Sequence, residues 1–469
     1  MMKLILTASC MSQKSILQEL KSLMKIRINS IKTKTMIYYN LKDKKEQVNF
    51  KTATIKGQGN EKGLFFPEKI PQVEKDFFEN LNQFSDQEIA FRCMKDFVGD
   101  EIPESLLKEI VRETIDFEIP LKKINDNISV LELFHGPTLA FKDIGARFMS
   151  QCLSYFLKDE NKKVTVLVAT SGDTGGAVAH GFYKTSGVNV VILYPKNRVS
   201  QVQEKQLTAL GENISAIEVN GTFDDCQNMV KQAFSDEKIN SNLFLTSANS
   251  INVARWLPQQ IYYLLALKQW QKINTENPVI CVPSGNFGNI CAGVLAHFRG
   301  LPVEHFIAAC NENDVVPNYL NTQNLEYKDT VATLSNAMDV GNPSNFTRIL
   351  ELFHHQFNDL KNTISGYSIS DDETLKTISK VYKNYGYMLE PHSAVAFASL
   401  EKYLEENPGK KGFILGTAHP VKFPDAVEKA TNMKIEVPES LAELMSKEKK
   451  TVEINADFEE LKRFLLDKN

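Results

Sequence analysis

A chain of 469 residues with 54 basic and 58 acidic side chains, a net charge of −4 and 42% hydrophobic residues is long enough for two or three domains, each with its own core. The two signs are intermixed without a basic stripe, which disfavours nucleic acid or an anionic membrane as the main partner and favours a small molecule. No run reaches the roughly 18 apolar residues of a membrane span, and the seven cysteines, at 10, 93, 152, 226, 281, 291 and 310, form no CxxC pair, which argues against disulfides or zinc and fits a reducing cytoplasm.

Residues 1–35 stand apart, with five serines, seven Lys or Arg and a lone acidic Glu19. An organellar transit peptide is one reading, but the basic charge is nearly all lysine, and the stretch reads better as an extension whose functional start is Met36. From Met36 to about Glu118, strand-like Ile37-Tyr-Tyr and Val48-Asn-Phe precede helical patterns at 73–84, 86–98 and 103–114, an α-rich N-terminal region. Gly57-Gln-Gly59-Asn-Glu-Lys-Gly63 misses a dinucleotide fingerprint, because its third glycine is misplaced and no amphipathic helix follows, and it reads as a surface turn.

The run Val130-Leu-Glu-Leu-Phe134 is strand-like and is broken by Gly136 and Pro137. Thr138 can cap, and Leu139, Phe141, Ile144, Phe148 and Met149 then recur with helical spacing. Lys142 therefore falls in the first turn of a helix, where the positive end of the dipole and apolar neighbours both disfavour its charged form. A lysine kept partly neutral can form a Schiff base; a helix lysine with its head in water is the alternative. Beyond it, short apolar or β-branched runs at 164–170, 188–194, 214–219 and 243–245 alternate with helical segments. The pattern resumes at 278–283 and 305–309, crosses a less regular polar region at about 311–375 and returns at 411–416. Such βα alternation implies a parallel twisted sheet with ligands at the carboxyl ends of its strands.

Three of these runs end alike, in Ser171-Gly-Asp-Thr-Gly-Gly176, in Ser284-Gly-Asn-Phe-Gly-Asn289 and in Thr417-Ala-His-Pro420. A glycine-rich turn after a strand gathers backbone N–H groups at a helix N-terminus, which is an anion site, although tight turns also use glycine for geometry alone. Neither glycine loop carries the Walker lysine or matches GxGxxG, so nucleotides are disfavoured. An anionic small molecule near a reactive lysine remains, the combination that pyridoxal phosphate needs.

The segments His135-Gly-Pro-Thr-Leu-Ala-Phe-Lys142-Asp, Ser171-Gly-Asp-Thr-Gly175, Pro283-Ser-Gly-Asn-Phe-Gly-Asn289 and Gly416-Thr-Ala-His-Pro420, in that order, resemble the threonine synthase family of the pyridoxal-phosphate fold-type-II enzymes. Lys62-Gly-Leu-Phe-Phe-Pro67, Ser247-Ala-Asn-Ser-Ile-Asn-Val-Ala-Arg255 and Thr333-Leu-Ser-Asn-Ala-Met-Asp339 add to the resemblance, which covers nearly everything from Met36 onward. It implies an α/β fold of two open twisted domains around a cofactor cleft. The expected division is an extension at 1–35, an α-rich N-terminal region at 36–118, a catalytic core at 119–430 with a smaller βα subdomain at about 145–250, and a C-terminal segment at 431–469.

The implied activity is conversion of O-phospho-L-homoserine and water to L-threonine and phosphate, the last step of threonine biosynthesis, by a cytoplasmic monomer or homodimer with no metal. The resemblance gives Lys142 the Schiff base and later proton transfers, Gly285, Asn286, Phe287, Gly288 and Asn289 the cofactor phosphate, and Thr417 the pyridine nitrogen. It gives Ser171, Gly172 and Thr174 the substrate carboxylate; Asn249, Ser250 and Arg255, at helical spacing, would meet the substrate phosphate. Asp173 stands beside the cofactor's phenolic oxygen where many relatives have Asn. A carboxylate accepts but does not donate unless protonated, so it should turn away or have a raised pKa. His135 and His419 receive no catalytic role. Two other readings are a dehydratase or phospholyase of the same fold and a non-catalytic relative that binds pyridoxal phosphate; retention of Lys142, both loops and Thr417 argues against the latter.

Overall fold

The computed structural model describes residues 35–158 and 163–467; the extension expected at 1–35 lies, but for Thr35, outside them. The N-terminal region opens with a small antiparallel sheet of β1 (Ile37–Asn40), β2 (Gln47–Asn49) and β3 (Phe65–Pro67), in the order β2-β1-β3. Helix Asp86–Val98 forms as its sequence expects: the Ser85 side chain accepts from the Glu88 N–H, acidic residues fill the first turn, and Gly99 ends it at φ 63°. The helix expected at 73–84 instead breaks into Lys75–Glu79 and a 3-10 turn at Leu81–Gln83. Asn80 lies at the break and its amide donates to the Asp76 carbonyl, the kind of local bond that competes with helix continuation.

After β4 (Leu121–Lys123) and β5 (Ile128–Glu132) the chain enters helix Lys142–Leu157. Four strands follow, β6 (Val164–Ala169), β7 (Val188–Pro195), β8 (Ile214–Asn220) and β9 (Phe244–Thr246), and then β10 (Val279–Pro283), β11 (His305–Cys310), β12 (Ile364–Ser368), β13 (Gly412–Gly416) and β14 (Thr451–Asn455). They form two sheets. One runs β12-β11-β10-β13-β5-β4, parallel except for β4 on β5, and the other runs β14-β8-β7-β6-β9, parallel throughout. The central strands β5, β6, β10 and β13 are buried along their whole length, which is why they read as largely apolar runs without strict alternation, broken only by Ser129 and Glu132 in β5 and Thr165 in β6.

A file of aromatic rings ties the N-terminal sheet to the helix that Lys142 begins. Tyr38 packs on Phe50 and Phe50 on Phe156, with centroids 6.1 Å apart in each pair, and the Tyr38 hydroxyl donates to the Phe97 carbonyl at 2.6 Å. Each buried ring contributes about 1.5–3 kcal/mol from apolar burial alone, so the helix start is anchored by its far end. Among the described residues no helix is long and apolar enough to cross a membrane.

Candidate active site

Lys142 is the first residue of its helix, with no side chain capping the turn. The expected cap is reversed: the Thr138 N–H and hydroxyl both donate to the Asp143 carboxylate, at 2.9 and 2.5 Å. A carboxylate one residue inside the helix outcompetes a hydroxyl as acceptor and fixes the 136–143 loop. That loop is also tied to the end of β13, where the Phe141 N–H donates to the Thr417 carbonyl at 2.9 Å and the His419 N–H to the Leu139 carbonyl at 3.1 Å. Lys142 and Thr417 are thereby held beside one another.

The Lys142 side chain is largely buried, its Nζ 5.5 Å from the Phe141 ring centroid and 3.8 Å from Asp173 Oδ2. Burial depresses its pKa, reinforced by repulsion from Lys422 and Arg255, while Asp173 and Glu390 oppose the shift, leaving a value of about 8. The sequence anticipated the direction from the helix dipole and apolar neighbours; burial is the larger cause here.

Asp173 begins helix Asp173–Gly181 at the end of β6. Of the two alternatives the sequence reading gave it, turning away or a raised pKa, the second is not what its surroundings favour. Burial pushes its carboxyl up, but Lys422 and Lys142, with hydrogen bonds from Lys422 and Gln203, more than reverse this and hold it well below the usual carboxylate range. Lys422 Nζ lies 2.7 Å and Gln203 Nε2 3.0 Å from Asp173 Oδ1. Flanking it, Ser171 and Thr174 are partly exposed and Gly172 is buried.

The loop after β10 is rigid. Asn289 Nδ2 donates to the Pro283 carbonyl at 2.8 Å, the Tyr263 hydroxyl to the Asn289 carbonyl at 2.8 Å, and Asn286 Nδ2 to Ser250 Oγ at 3.0 Å. Phe287 takes a left-handed conformation at φ 61° and is buried edge-on to Phe346. The backbone N–H groups of residues 285–289 have no acceptor among the described residues, and they open helix Gly288–Phe298. A Cβ on Gly285 would sit 2.6 Å from Met338 Cα and 2.7 Å from the Ala337 carbonyl oxygen, so only glycine lets the 335–339 turn close over the loop. That turn is pinned by His392, whose Nε2 accepts the Ala337 N–H at 3.1 Å. Its other nitrogen then carries the proton and gives it to Glu390 Oε2 at 2.6 Å.

The helical spacing expected through Asn249, Ser250, Asn252 and Arg255 is not realised. Asn252 caps a helix that starts only at Val253, its side chain accepting from the Ala254 N–H, so 249–251 is a turn and the polar groups diverge. Ser250 Oγ accepts from both Asn286 Nδ2 and Asn345 Nδ2 at 3.0 Å. With both acceptor positions used, its own hydrogen is left to point at a ligand. Arg255 packs instead against the Lys142 helix: a Cβ on Gly145 would lie 2.6 Å from the Arg255 carbonyl oxygen and 3.0 Å from its Nε. The guanidinium donates to the Ala248 carbonyl, its Nε has no partner among the described residues, and burial lowers its pKa to about 10. Thr417 is buried, and its hydroxyl has no hydrogen-bond partner among the described residues.

Sequence reasoning missed Lys422, Gln203, Glu390 and Arg348. Only Lys422 carried a local signal, a lysine between Val421 and Phe423 just beyond the third loop motif. The arrangement joins a depressed lysine, unpaired amides at a helix N-terminus, an unpartnered hydroxyl and a buried arginine with spare donors. It suits a phosphorylated aldehyde cofactor together with a second anion.

Known proteins resemble this chain over most of its length. A family model described as pyridoxal-phosphate dependent enzyme matches residues 117–415, and models described as threonine synthase N terminus and threonine synthase, C-terminal match residues 37–115 and 393–465. The threonine synthase of Escherichia coli K12 is 45% identical over 432 residues, covering 92% of this chain and 100% of the relative. A crystal structure of threonine synthase from Escherichia coli superposes with a TM-score of 0.87 at 44% identity, covering 92% of this chain and 100% of that one. A pyridoxal-phosphate-bound threonine synthase from Brucella melitensis gives 0.86 at 33% identity, covering 92% and 99%.

Proposed function

The chain belongs to the threonine synthases, pyridoxal-phosphate-dependent lyases that convert O-phospho-L-homoserine and water to L-threonine and phosphate, and from that premise we propose how its residues divide the work. Lys142 is the lysine that would hold the cofactor and, once freed from it, would move protons at Cα and Cβ. Its depressed pKa favours this, since an uncharged amine is both the nucleophile and the base. The residue 285–289 amides hold the cofactor phosphate, with Ser250 and Asn345 bracing Asn286. Thr417 gives its free hydroxyl to the ring nitrogen, which it cannot protonate as a carboxylic acid would. Bound there, pyridoxal phosphate supplies the electron sink that makes carbon acids of the substrate's Cα and Cβ.

Ser171, Gly172 and Thr174 take the substrate carboxylate at the start of helix Asp173–Gly181. Asp173, held ionised by Lys422 and Lys142, would accept and not donate at the cofactor's phenolic oxygen. Arg255 offers its spare donors to the substrate phosphate, with Asn249 and the Ser250 hydrogen, and stabilises that group as it leaves from Cγ. Water then adds at Cβ and Lys142 returns a proton to carbon. We assign the chain work to an N-terminal region at 36–118, a catalytic core at 119–430 with its smaller subdomain at about 145–250, and a C-terminal segment at 431–469. A cytoplasmic monomer or homodimer acting without nucleic acid completes the reading; the free, buried thiols of the six described cysteines support a reducing compartment.

The observation that carries the assignment is the largely buried Lys142 amine at the start of a helix whose preceding residue is bonded to the Thr417 carbonyl at the end of β13. Borohydride reduction of the holoenzyme followed by peptide mass mapping is expected to find the phosphopyridoxyl group on Lys142. Its appearance on the second buried lysine, Lys422, or on any other would overturn the assignment.

A further inference from the structure

Two buried lysines face one carboxylate. Lys422, at the end of the 3-10 turn Pro420–Lys422, has a fully buried side chain whose Nζ lies 2.7 Å from Asp173 Oδ1 and 2.9 Å from the Thr138 carbonyl oxygen. The same carbonyl accepts Gln206 Nε2 at 3.0 Å, and Gln203 holds Asp173 Oδ1 from the same helix, Gln201–Thr208. Lys422 is thus clamped between the loop that delivers Lys142 and the loop that delivers Asp173. Lys142 reaches only the far oxygen of that carboxylate, at 3.8 Å. The remaining charges acting on Lys142 are Arg255, which repels its proton, and Glu390, which retains it.

Coulombic attraction falls with distance and rises as water is removed. In this largely buried cluster the ion at 2.7 Å interacts more strongly with the anion, and the one at 3.8 Å is both less attracted by it and repelled by its rival. We propose that Lys422 is a positioning residue for the reaction: by claiming the near oxygen of Asp173 it keeps that carboxylate ionised while leaving the Lys142 amine uncharged often enough to take up the cofactor. The inference rests on Lys142 being the reactive lysine. Asp173 still attracts the Lys142 proton, but from 3.8 Å, and repulsion from Lys422 offsets part of that attraction.

The sign follows from which partner is removed. Without Lys422, Asp173 has Lys142 as its nearest cation, Lys142 grips its proton more tightly, and the neutral fraction near neutrality falls. Without the Asp173 charge, Lys142 faces Lys422 and Arg255 with only Glu390 opposing them, and its pKa falls further. Desolvation acts on Lys142 in every variant, so the differences isolate the Asp173–Lys422 pair.

The test is competitive acetylation of the full-length chain, freed of cofactor, with trace acetic anhydride across neutral and alkaline pH, quantified on the Lys142 peptide by mass spectrometry. Wild type should show a midpoint near 8. Lys422→Met should raise it by about one unit or more, with roughly tenfold lower reactivity near neutrality, Asp173→Asn should lower it, and the double variant should fall between the two. Removing one member of a buried pair can prevent folding; near-UV circular dichroism reports this, and Asp173→Asn with the double variant then carries the test. A midpoint unmoved by Lys422→Met in a folded chain, or one that does not fall in Asp173→Asn, would overturn the proposal. Because the labelling is done on the cofactor-free chain, it reads the basicity of Lys142 whichever lysine binds the cofactor, so this failure is distinct from a borohydride map that places the cofactor elsewhere.

Discussion

Replacing Lys142 with alanine is expected to abolish release of both phosphate and threonine from O-phospho-L-homoserine, with a fall in kcat of about 10⁴ or more, the upper range for a single proton-transferring side chain. The reason is local. The helix starts at Lys142, the 136–143 loop is locked by the Thr138–Asp143 pair, and Phe141 is bonded to the Thr417 carbonyl, so no other side chain can be brought to the same point. The 285–289 amides are untouched by the substitution, and the cofactor should still bind, now without covalent attachment. Lys142→Arg should be equally inactive, because a guanidinium stays charged at any working pH and is no nucleophile. Steady-state phosphate release against a cofactor absorption spectrum separates loss of chemistry from loss of cofactor. Residual activity within tenfold of wild type in the alanine variant would mean that another group moves the protons.

The second large effect is structural. Arg348 is wholly buried and touches no carboxylate among the described residues: its guanidinium donates to the carbonyls of Phe65, Ser250 and Ile251 and to Asn345 Oδ1, and lies 4.3 Å from the Trp256 ring. It staples the N-terminal sheet to the Ser250 turn that braces the cofactor loop. Arg348→Met strands the buried Phe65 carbonyl and Asn345 Oδ1, each worth about 1–3 kcal/mol, and frees the partly buried Ser250 and Ile251 carbonyls at smaller cost. Relief of the buried cation offsets part of that, leaving an expected loss of about 3 kcal/mol or more. Urea unfolding followed by tryptophan fluorescence is well placed to see it, since Trp256 lies under the guanidinium. Lysine should not rescue the variant, because a single ammonium cannot span four acceptors set around a planar fork. Coincident unfolding curves for wild type and Arg348→Met would contradict the role given to this arginine.

The parts of the fold that were legible in the sequence are those whose burial is complete. β5, β6, β10 and β13 are covered on both faces, so they appear as largely apolar runs, and the loops that follow β6 and β10 carry glycines that announce the turn. β12 and β14 were not legible. Each lies at the edge of its sheet, and Ile364-Ser-Gly-Tyr-Ser and Thr451-Val-Glu-Ile-Asn are half exposed and largely polar. The 311–375 region concealed short helices, such as Val315–Thr322 and Phe346–Leu352, for a related reason, since neither is long enough to establish a period.

The candidate site divides along the same line. Lys142, the two glycine loops and Thr417 were readable because each is a local device, a residue type demanded by the turn it occupies. Lys422 and Arg348 were not, because their meaning lies in partners 284 and 283 residues away, the Thr138 and Phe65 carbonyls. Asp173 sat between the two classes. Its position was evident, but its ionisation depends on Lys422, and reasoning without that lysine reached the opposite sign.

The measurement that bears most directly on the account follows phosphate and threonine together as the purified holoenzyme consumes O-phospho-L-homoserine, in wild type and in Lys142→Ala. Equal amounts of the two products from wild type, and neither from the variant, is the predicted result. Phosphate accompanied by a keto acid in place of threonine would contradict it, since elimination would then proceed without the addition of water at Cβ that the site is built to complete.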